Sequence, residues 1–91
     1  MITPPTQHAT EPKEQFIARH AQYVDALRAD VETASIAARE ASQRYVAAQR
    51  QGMSLQLVAT LREGSFLAAR ALGRARSRLA AGELELVLLR R

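Results

Sequence analysis

Arginine is the residue type in this sequence with the clearest capacity for chemistry, because its guanidinium group binds carboxylates and phosphates at two points. Twelve of the thirteen basic residues are arginines. Five of them fall between positions 62 and 78, a stretch that holds one acid, Glu63. Arg70, Arg74 and Arg78 recur every four residues, which places them along one side of a helix. These three form the arginine stripe, a predicted anion-binding site.

Three explanations of the arginine stripe stay open: a solvated or salt-bridged face, an acidic protein partner, and the phosphates of nucleic acid. Acids earlier in the chain can neutralise part of the stripe, and we expect Asp30 on the same flank as Arg78. The stripe lacks interleaved aromatic residues on which bases would stack. The pattern therefore favours the solvated or salt-bridged face over the other two explanations.

The two histidines are the remaining candidates for chemistry. His8 has no companion nearby, and His20 interrupts an apolar repeat, which is more typical of a structural residue than of a ligand or base. The chain has no Cys, so it has neither disulfides nor thiolate metal ligands. It also lacks a carboxylate pair, a phosphate-binding loop, a Ser-His-Asp set and metal-ligand spacing. We expect no enzyme activity, no cofactor and no metal.

The first element that carries these residues is predicted to be a long helix. Residues 1–10 hold two of the three prolines and predict a disordered or extended tail. Thr10 is the predicted N-cap of a helix over 12–51, a range without Gly in which the only Pro lies in the first turn. With Ile17 as the first a position, a heptad seam follows. Its members are Ile17, His20, Val24, Leu27, Val31, Ala34, Ala38, Ala41, Tyr45 and Ala48.

A turn at 52–54 and a second helix over 55–89 are predicted next. Gly52 suits a left-handed C-cap, and Ser54 suits the N-cap that follows. A connection this short makes the helices antiparallel. The second seam consists of Val58, Leu61, Ser65, Ala68, Leu72, Ala75, Leu79, Gly82, Leu86 and Leu89. Folding at the turn pairs Val24 with Gly82.

The pattern therefore predicts an all-α fold, a coiled-coil-like hairpin over 11–91 that completes a bundle with a partner or a second copy. One continuous helix in an intermolecular coiled coil is the alternative, because Gly within a helix costs only about 1 kcal/mol. Gly64, Gly73 and Gly82 in the second helix indicate local tolerance, close packing of a neighbouring helix, or a bend in this helix.

The second helix contains more apolar residues than its seam has positions to bury. The stretch from Leu84 to Leu89 is apolar at five of six positions, and we expect a helix there, with a short strand as the alternative. Apolar surface left exposed usually marks an interface. The predicted partner-binding residues are Leu55, Leu57, Phe66, Leu67, Leu84, Leu86, Val87 and Leu88. Another protein or a second copy of the chain would cover them.

The composition limits the classes of protein to which this chain can belong. Its 91 residues suffice for one small domain, and 47% apolar content with 4% aromatics suits thin, Ala-rich helices. The first residues do not follow the pattern of a secretory signal, and no apolar run approaches the ~20 residues of a membrane span. We expect a cytoplasmic protein without a membrane span.

Residues 24–81 resemble the small helical-hairpin co-chaperones of type III secretion needle subunits. The resemblance rests on Leu27-Arg28, the turn from Arg50 to Ser54, and the run Leu61…Ala68-Ala69…Leu72. It implies a cytoplasmic hairpin that pairs with a second chaperone and keeps an aggregation-prone secreted subunit soluble.

The leading hypothesis is thus a non-catalytic interaction module: a chaperone, adaptor or assembly factor that buries its helices against a protein partner. The alternative is a small basic regulator that binds RNA or DNA as a dimer of hairpins through the arginine stripe (net charge +4).

Overall fold

The structure, a computed structural model, describes residues 2–91 and contains two helices packed against each other as a hairpin. Helix α1 spans Lys13–Arg50 and helix α2 spans Leu55–Leu89. No strand occurs among residues 2–91. The predicted all-α hairpin is confirmed, and the alternative of one continuous helix is wrong. The C-terminal stretch is helical as far as Leu89, so the strand alternative is wrong as well.

Helix α1 begins later than predicted. The Pro12 carbonyl accepts the first backbone bonds of the helix, from the N–H groups of Gln15 at 3.1 Å and Phe16 at 3.2 Å. Thr10 lies instead in a turn closed by the Glu11 N–H, which donates to the His8 carbonyl at 3.0 Å. Thr10 is therefore not the N-cap. Because Thr10 lies within the turn over residues 8–11 and the helix begins after Pro12, Thr10 is too far from the first helical N–H groups to cap them.

The turn between the helices forms as its residues predict. Gly52 has φ of 68°, a left-handed conformation that residues with a Cβ adopt at a cost. The N–H of Met53 donates to the Ala48 carbonyl at 3.1 Å, and that of Gly52 to the Gln49 carbonyl at 3.2 Å. This pair of bonds is a Schellman motif, which satisfies carbonyls at the end of α1.

Ser54 caps the helix that follows the turn. Its hydroxyl oxygen accepts from the backbone N–H of Leu57 at 3.2 Å, and its carbonyl accepts from the N–H of Val58 at 3.0 Å. The side-chain bond satisfies a donor that the first turn of α2 would otherwise leave without a partner. Both caps predicted for the turn are confirmed.

The two predicted seams are the buried faces of the helices. Every seam residue named above is buried or half-buried. Polar residues of α1 outside the seam are exposed, among them Asp25, Glu32, Arg39, Gln43 and Arg50. The 3.5-residue period thus identified the packing face of both helices.

The chain divides into two compact units. The terminal unit contains the stretch that ends at Val31 together with Ala75–Arg91, and the turn unit is Glu32–Arg74. The core of the terminal unit consists of Phe16, His20, Val24, Leu27, Ala75, Gly82 and Leu86. Within Glu32–Arg74, all of it described, Ala48 is the only residue in the buried class. The interior of the turn unit is therefore thin and consists almost entirely of half-buried residues.

Candidate interaction site

The end of helix α2 presents three large apolar side chains to solvent. Leu84, Val87 and Leu88 keep 61%, 52% and 53% of their surface exposed. Their spacing of three and four residues places them on one face of the helix. We call these three residues the leucine face. An apolar strip with this spacing is the usual docking element for another helix.

Leu86 does not belong to this exposed surface, although we predicted it among the partner-binding residues. It is 7% exposed and lies in the core of the terminal unit. Its seam position explains the difference, because the seam of α2 faces α1 within the hairpin. A partner cannot reach Leu86 while the hairpin is intact, so that prediction is wrong for this residue.

The turn unit exposes a second group of apolar side chains. Leu55, Leu57, Phe66 and Leu67 are 89%, 40%, 58% and 55% exposed. The guanidinium of Arg62 lies 5.8 Å from the centre of the Phe66 ring, within the range of a cation–π contact. Together with the thin core of this unit, these exposures indicate surface suited to a further layer of packing.

The arginine stripe has no carboxylate partners. Arg70 and Arg74 in the turn unit are exposed, and so is Arg78 in the terminal unit. Among residues 2–91, none of the three lies in an ion pair. Two acids of α1 pair within α1 instead, Asp25 with Arg28 at 2.8 Å and Glu40 with Arg44 at 3.8 Å. The expected neutralisation of Arg78 by Asp30 is therefore absent from the described residues.

His20 is a fully buried structural residue. Its Nε2 lies 3.1 Å from the carbonyl oxygen of Gly82, and since a carbonyl can only accept, Nε2 carries the proton. Nδ1 is buried without a hydrogen-bond partner among the described residues. The rings of Phe16 and Tyr23 lie on either side, with centroids 6.3 Å and 5.6 Å from that of His20. This histidine joins the two helices and has no exposed surface for a substrate.

Gly82 makes this hydrogen bond sterically feasible. A Cβ at this position would lie 3.0 Å from Leu27 Cδ1 and 3.4 Å from Val24 Cγ2, so the glycine lets α1 approach closely. The predicted pairing of Val24 with Gly82 is confirmed. Gly64 and Gly73 differ, because a Cβ there would meet nothing within 4 Å. Of the three glycines of α2, only Gly82 serves packing within the hairpin.

Arg19 attaches the N-terminal segment, residues 2–11, to helix α1. Its guanidinium donates to both carboxylate oxygens of Glu11, at 2.7 and 2.6 Å, and to the carbonyl of Thr6 at 2.8 Å. The pKa of Glu11 is lowered, chiefly by the hydrogen bond from Arg19. Partial desolvation of the carboxylate acts in the opposite direction, and the hydrogen bond from the backbone N–H of His8 lowers the pKa further. No pattern in the sequence predicts this contact, because Glu11 lies outside the helix that carries Arg19.

Within residues 2–91, neither helix has an apolar window long enough to cross a membrane. No group of three or more His, Asp or Glu residues there has the arrangement of a metal site. No protein-family model, no curated protein and no solved structure matches the chain. Its function is therefore argued from the surfaces described above.

Proposed function

We propose that the protein is a non-catalytic interaction module whose leucine face binds a helix of another protein. The observation that carries this proposal is the exposure of Leu84, Val87 and Leu88 on one face at the end of a helix that is otherwise packed in a hairpin. A neighbouring group of exposed apolar side chains of this kind is typical of a surface that binds a partner.

The energetics support a contact of useful strength. Full burial of a Leu or Val side chain is worth about 1.5–3 kcal/mol, and these side chains are already about half covered. Docking therefore adds roughly 1 kcal/mol for each of the three residues. A total of about 3 kcal/mol corresponds to roughly two orders of magnitude in affinity.

Within this class, a cytoplasmic chaperone, adaptor or assembly factor is the function we favour. The resemblance to type III secretion co-chaperones implies a hairpin that shields an aggregation-prone helical subunit, and an exposed leucine face suits that role. The turn unit, in which Leu55 and Phe66 are exposed, offers further apolar surface to a partner in its own right.

The test compares a triple-serine variant of the full chain with a double-serine control. One carries Leu84→Ser, Val87→Ser and Leu88→Ser; the matched control carries serine at exposed apolar positions elsewhere, Ile36 and Val46. Capture of partners from the native cell, combined with the solution mass of the purified chain, distinguishes a hetero-complex from a homodimer. We expect the leucine-face variant to lose its partner and the control to retain it, with helix content unchanged in both. Retention of the partner by both variants would refute the proposal.

Nucleic-acid binding is the second candidate function, and a specific observation favours it. Arg70 and Arg74 are exposed without carboxylate partners, so their charge is available to phosphates. Binding of this kind weakens steeply with salt, because each contact releases counterions. Arg70→Glu with Arg74→Glu should then abolish binding, whereas the leucine-face variant should keep it. For a protein-binding module we expect the opposite: the Arg70→Glu, Arg74→Glu variant should keep its partner, and the leucine-face variant should lose it.

A further inference from the structure

Helix α2 carries a second heptad repeat, on the side that the hairpin leaves exposed. Its members are Ser77, Ala81, Leu84 and Leu88, which are spaced four, three and four residues apart and are all exposed. All four belong to the terminal unit. Residues with these spacings form the stripe along which one helix packs against another in a coiled coil. We call these four residues the outer seam; its two leucines also belong to the leucine face.

Small side chains precede large ones along the outer seam. If a second copy of α2 runs antiparallel to the first, Ser77 can lie against Leu88 and Ala81 against Leu84. The two-fold axis repeats both pairs, so each of the four layers holds one small and one large side chain. This alternation fills the space between two helices evenly. A parallel pair would set leucine against leucine at one end and serine against serine at the other.

The residues that flank the outer seam complement each other in the same arrangement. Arg78 and Glu85 lie one heptad apart on one edge, and this edge of one copy faces the same edge of the other, so Arg78 meets Glu85 twice in the dimer. Both residues are exposed, and Arg78 forms no ion pair within residues 2–91. On the other edge Ala80 faces Val87, so a small residue again meets a large one. Charge and size therefore favour the same register.

A rival register uses Leu84 and Val87 as its large residues and is opposed by charge. It rotates each helix so that the edge containing Arg76, Glu83 and Arg90 turns towards the second copy. Glu83 would then face Glu83 of the other chain, and Arg76 would face Arg90. Like charges placed opposite each other disfavour a pairing, so the outer seam is the better surface for a second copy.

The N-terminal segment borders the charged edge of the outer seam without covering it. Residues 2–4 lie across a gap from Arg78, Ala81 and Glu85. These three residues of α2 remain exposed, and the side chain of Glu85 keeps 53% of its surface. A second copy therefore has access to this edge while the N-terminal segment stays in place.

We infer that, in the absence of another partner, the outer seam packs antiparallel against the outer seam of a second copy of this chain. The inference rests on the proposed function, because both assign Leu84 and Leu88 to the docking of a helix. It adds that a second copy covers these residues first, so the dimer must separate before another protein binds. The contact runs for only about 17 Å along α2, which places it among small, transient interfaces.

The experiment measures the self-association of the purified full chain by sedimentation equilibrium at low salt. Arg78→Glu brings two acidic side chains together at each edge contact, and Glu85→Arg brings two basic ones together. An equal mixture of these two variants restores opposite charges at both contacts of a mixed dimer. Arg76→Glu is the matched control, because Arg76 is an exposed arginine of the same helix that does not flank the outer seam.

We expect the wild-type chain to dimerise. Each charge variant alone should need a concentration at least about tenfold higher, because two attractive contacts become repulsive. The equal mixture should dimerise as the wild type does, and so should Arg76→Glu. Circular dichroism of each variant checks that its helix content is unchanged, so that a loss of association reports on the contact and not on folding.

Four results would overturn the inference. They are a wild-type chain that stays monomeric up to about 1 mM, wild-type association of either charge variant alone, a mixture of folded variants that stays monomeric, and tighter association of Arg76→Glu, which would indicate the rival register. None of them bears on the proposed function, which depends on partner capture by the triple-serine variant. If that variant keeps its captured partner but no longer dimerises, the proposed function fails and the dimer stands.

Discussion

Replacing Gly82 with alanine tests the packing of the terminal unit most directly. The new Cβ would lie 3.0 Å from Leu27 Cδ1 and 3.4 Å from Val24 Cγ2. Val24 and Leu27 are 0% and 1% exposed, so neither can move away without disturbing the core. Overpacking of this kind costs about 1–3 kcal/mol. The shift would also stretch the bond from His20 to the Gly82 carbonyl, which is worth about 1 kcal/mol.

Alanine also favours the helix by about 1 kcal/mol over glycine, so the net loss of stability for Gly82→Ala is roughly 1–3 kcal/mol. Gly73→Ala is the matched control, because a Cβ there meets nothing within 4 Å and the helix preference acts alone. That variant should gain about 1 kcal/mol. The difference between the two variants is then about 2–4 kcal/mol, and the helix preference cancels from it.

Thermal unfolding followed by circular dichroism measures this difference. For a domain of this size, 1 kcal/mol shifts Tm by about 4–8 °C, so the two variants should differ by more than about 8 °C. Urea unfolding should give the same order of stability. If Gly82→Ala unfolds at or above the temperature of Gly73→Ala, the close approach at Gly82 does not limit packing and the reasoning is refuted.

Three further predictions concern the turn and the N-terminal segment. Gly52→Ala should cost about 1 kcal/mol in urea unfolding, because φ of 68° strains a residue with a Cβ, and Gly52→Asn should cost less; equal stabilities would contradict this. Ser54→Ala should cost about 1 kcal/mol through loss of the N-cap, whereas Ser54→Asp should be close to wild type in the same assay. The contact of Glu11 with Arg19 contributes stability above the ordinary pKa of a glutamate and loses it as pH falls through the lowered pKa of Glu11. The amide signal of His8 should therefore change on acidification, and a Glu11→Gln chain that shows the same change would contradict this assignment.

Several features of the fold follow from the sequence because they depend on local chemistry. The 3.5-residue period of apolar residues sets which face of each helix is buried, whatever the helix packs against. Gly52 and Ser54 act through their own backbone and side chain, so the turn is also predictable from a few neighbouring residues. The misplaced N-cap at Thr10 has a local cause too, since the turn closed by the Glu11 N–H competes for the same residues.

The candidate surfaces were only partly predictable. The apolar residues beyond the seam include Leu84, Val87 and Leu88, which are exposed, whereas Leu86, a seam residue predicted to bind a partner because it lies in the same apolar run, is buried. The four-residue recurrence of Arg70 and Arg74 predicted their placement on the helix, yet it could not show that Asp25 and Glu40 pair with arginines of their own helix. Each error concerns a side chain for which more than one contact was compatible with its position on the helix.

Local patterns along the chain predict that two amphipathic helices form, where the chain reverses, and which residues face inward, because helix propensity, the apolar period and capping act over a few residues. Three contacts emerge only when the helices pack: His20 donates to the Gly82 carbonyl, Gly82 alone of the three glycines of α2 lies close to α1, and Arg19 holds the N-terminal segment beside the hairpin. Those contacts join residues far apart in the chain, and their partners are fixed by the distance and rotation between packed elements, which no local pattern encodes.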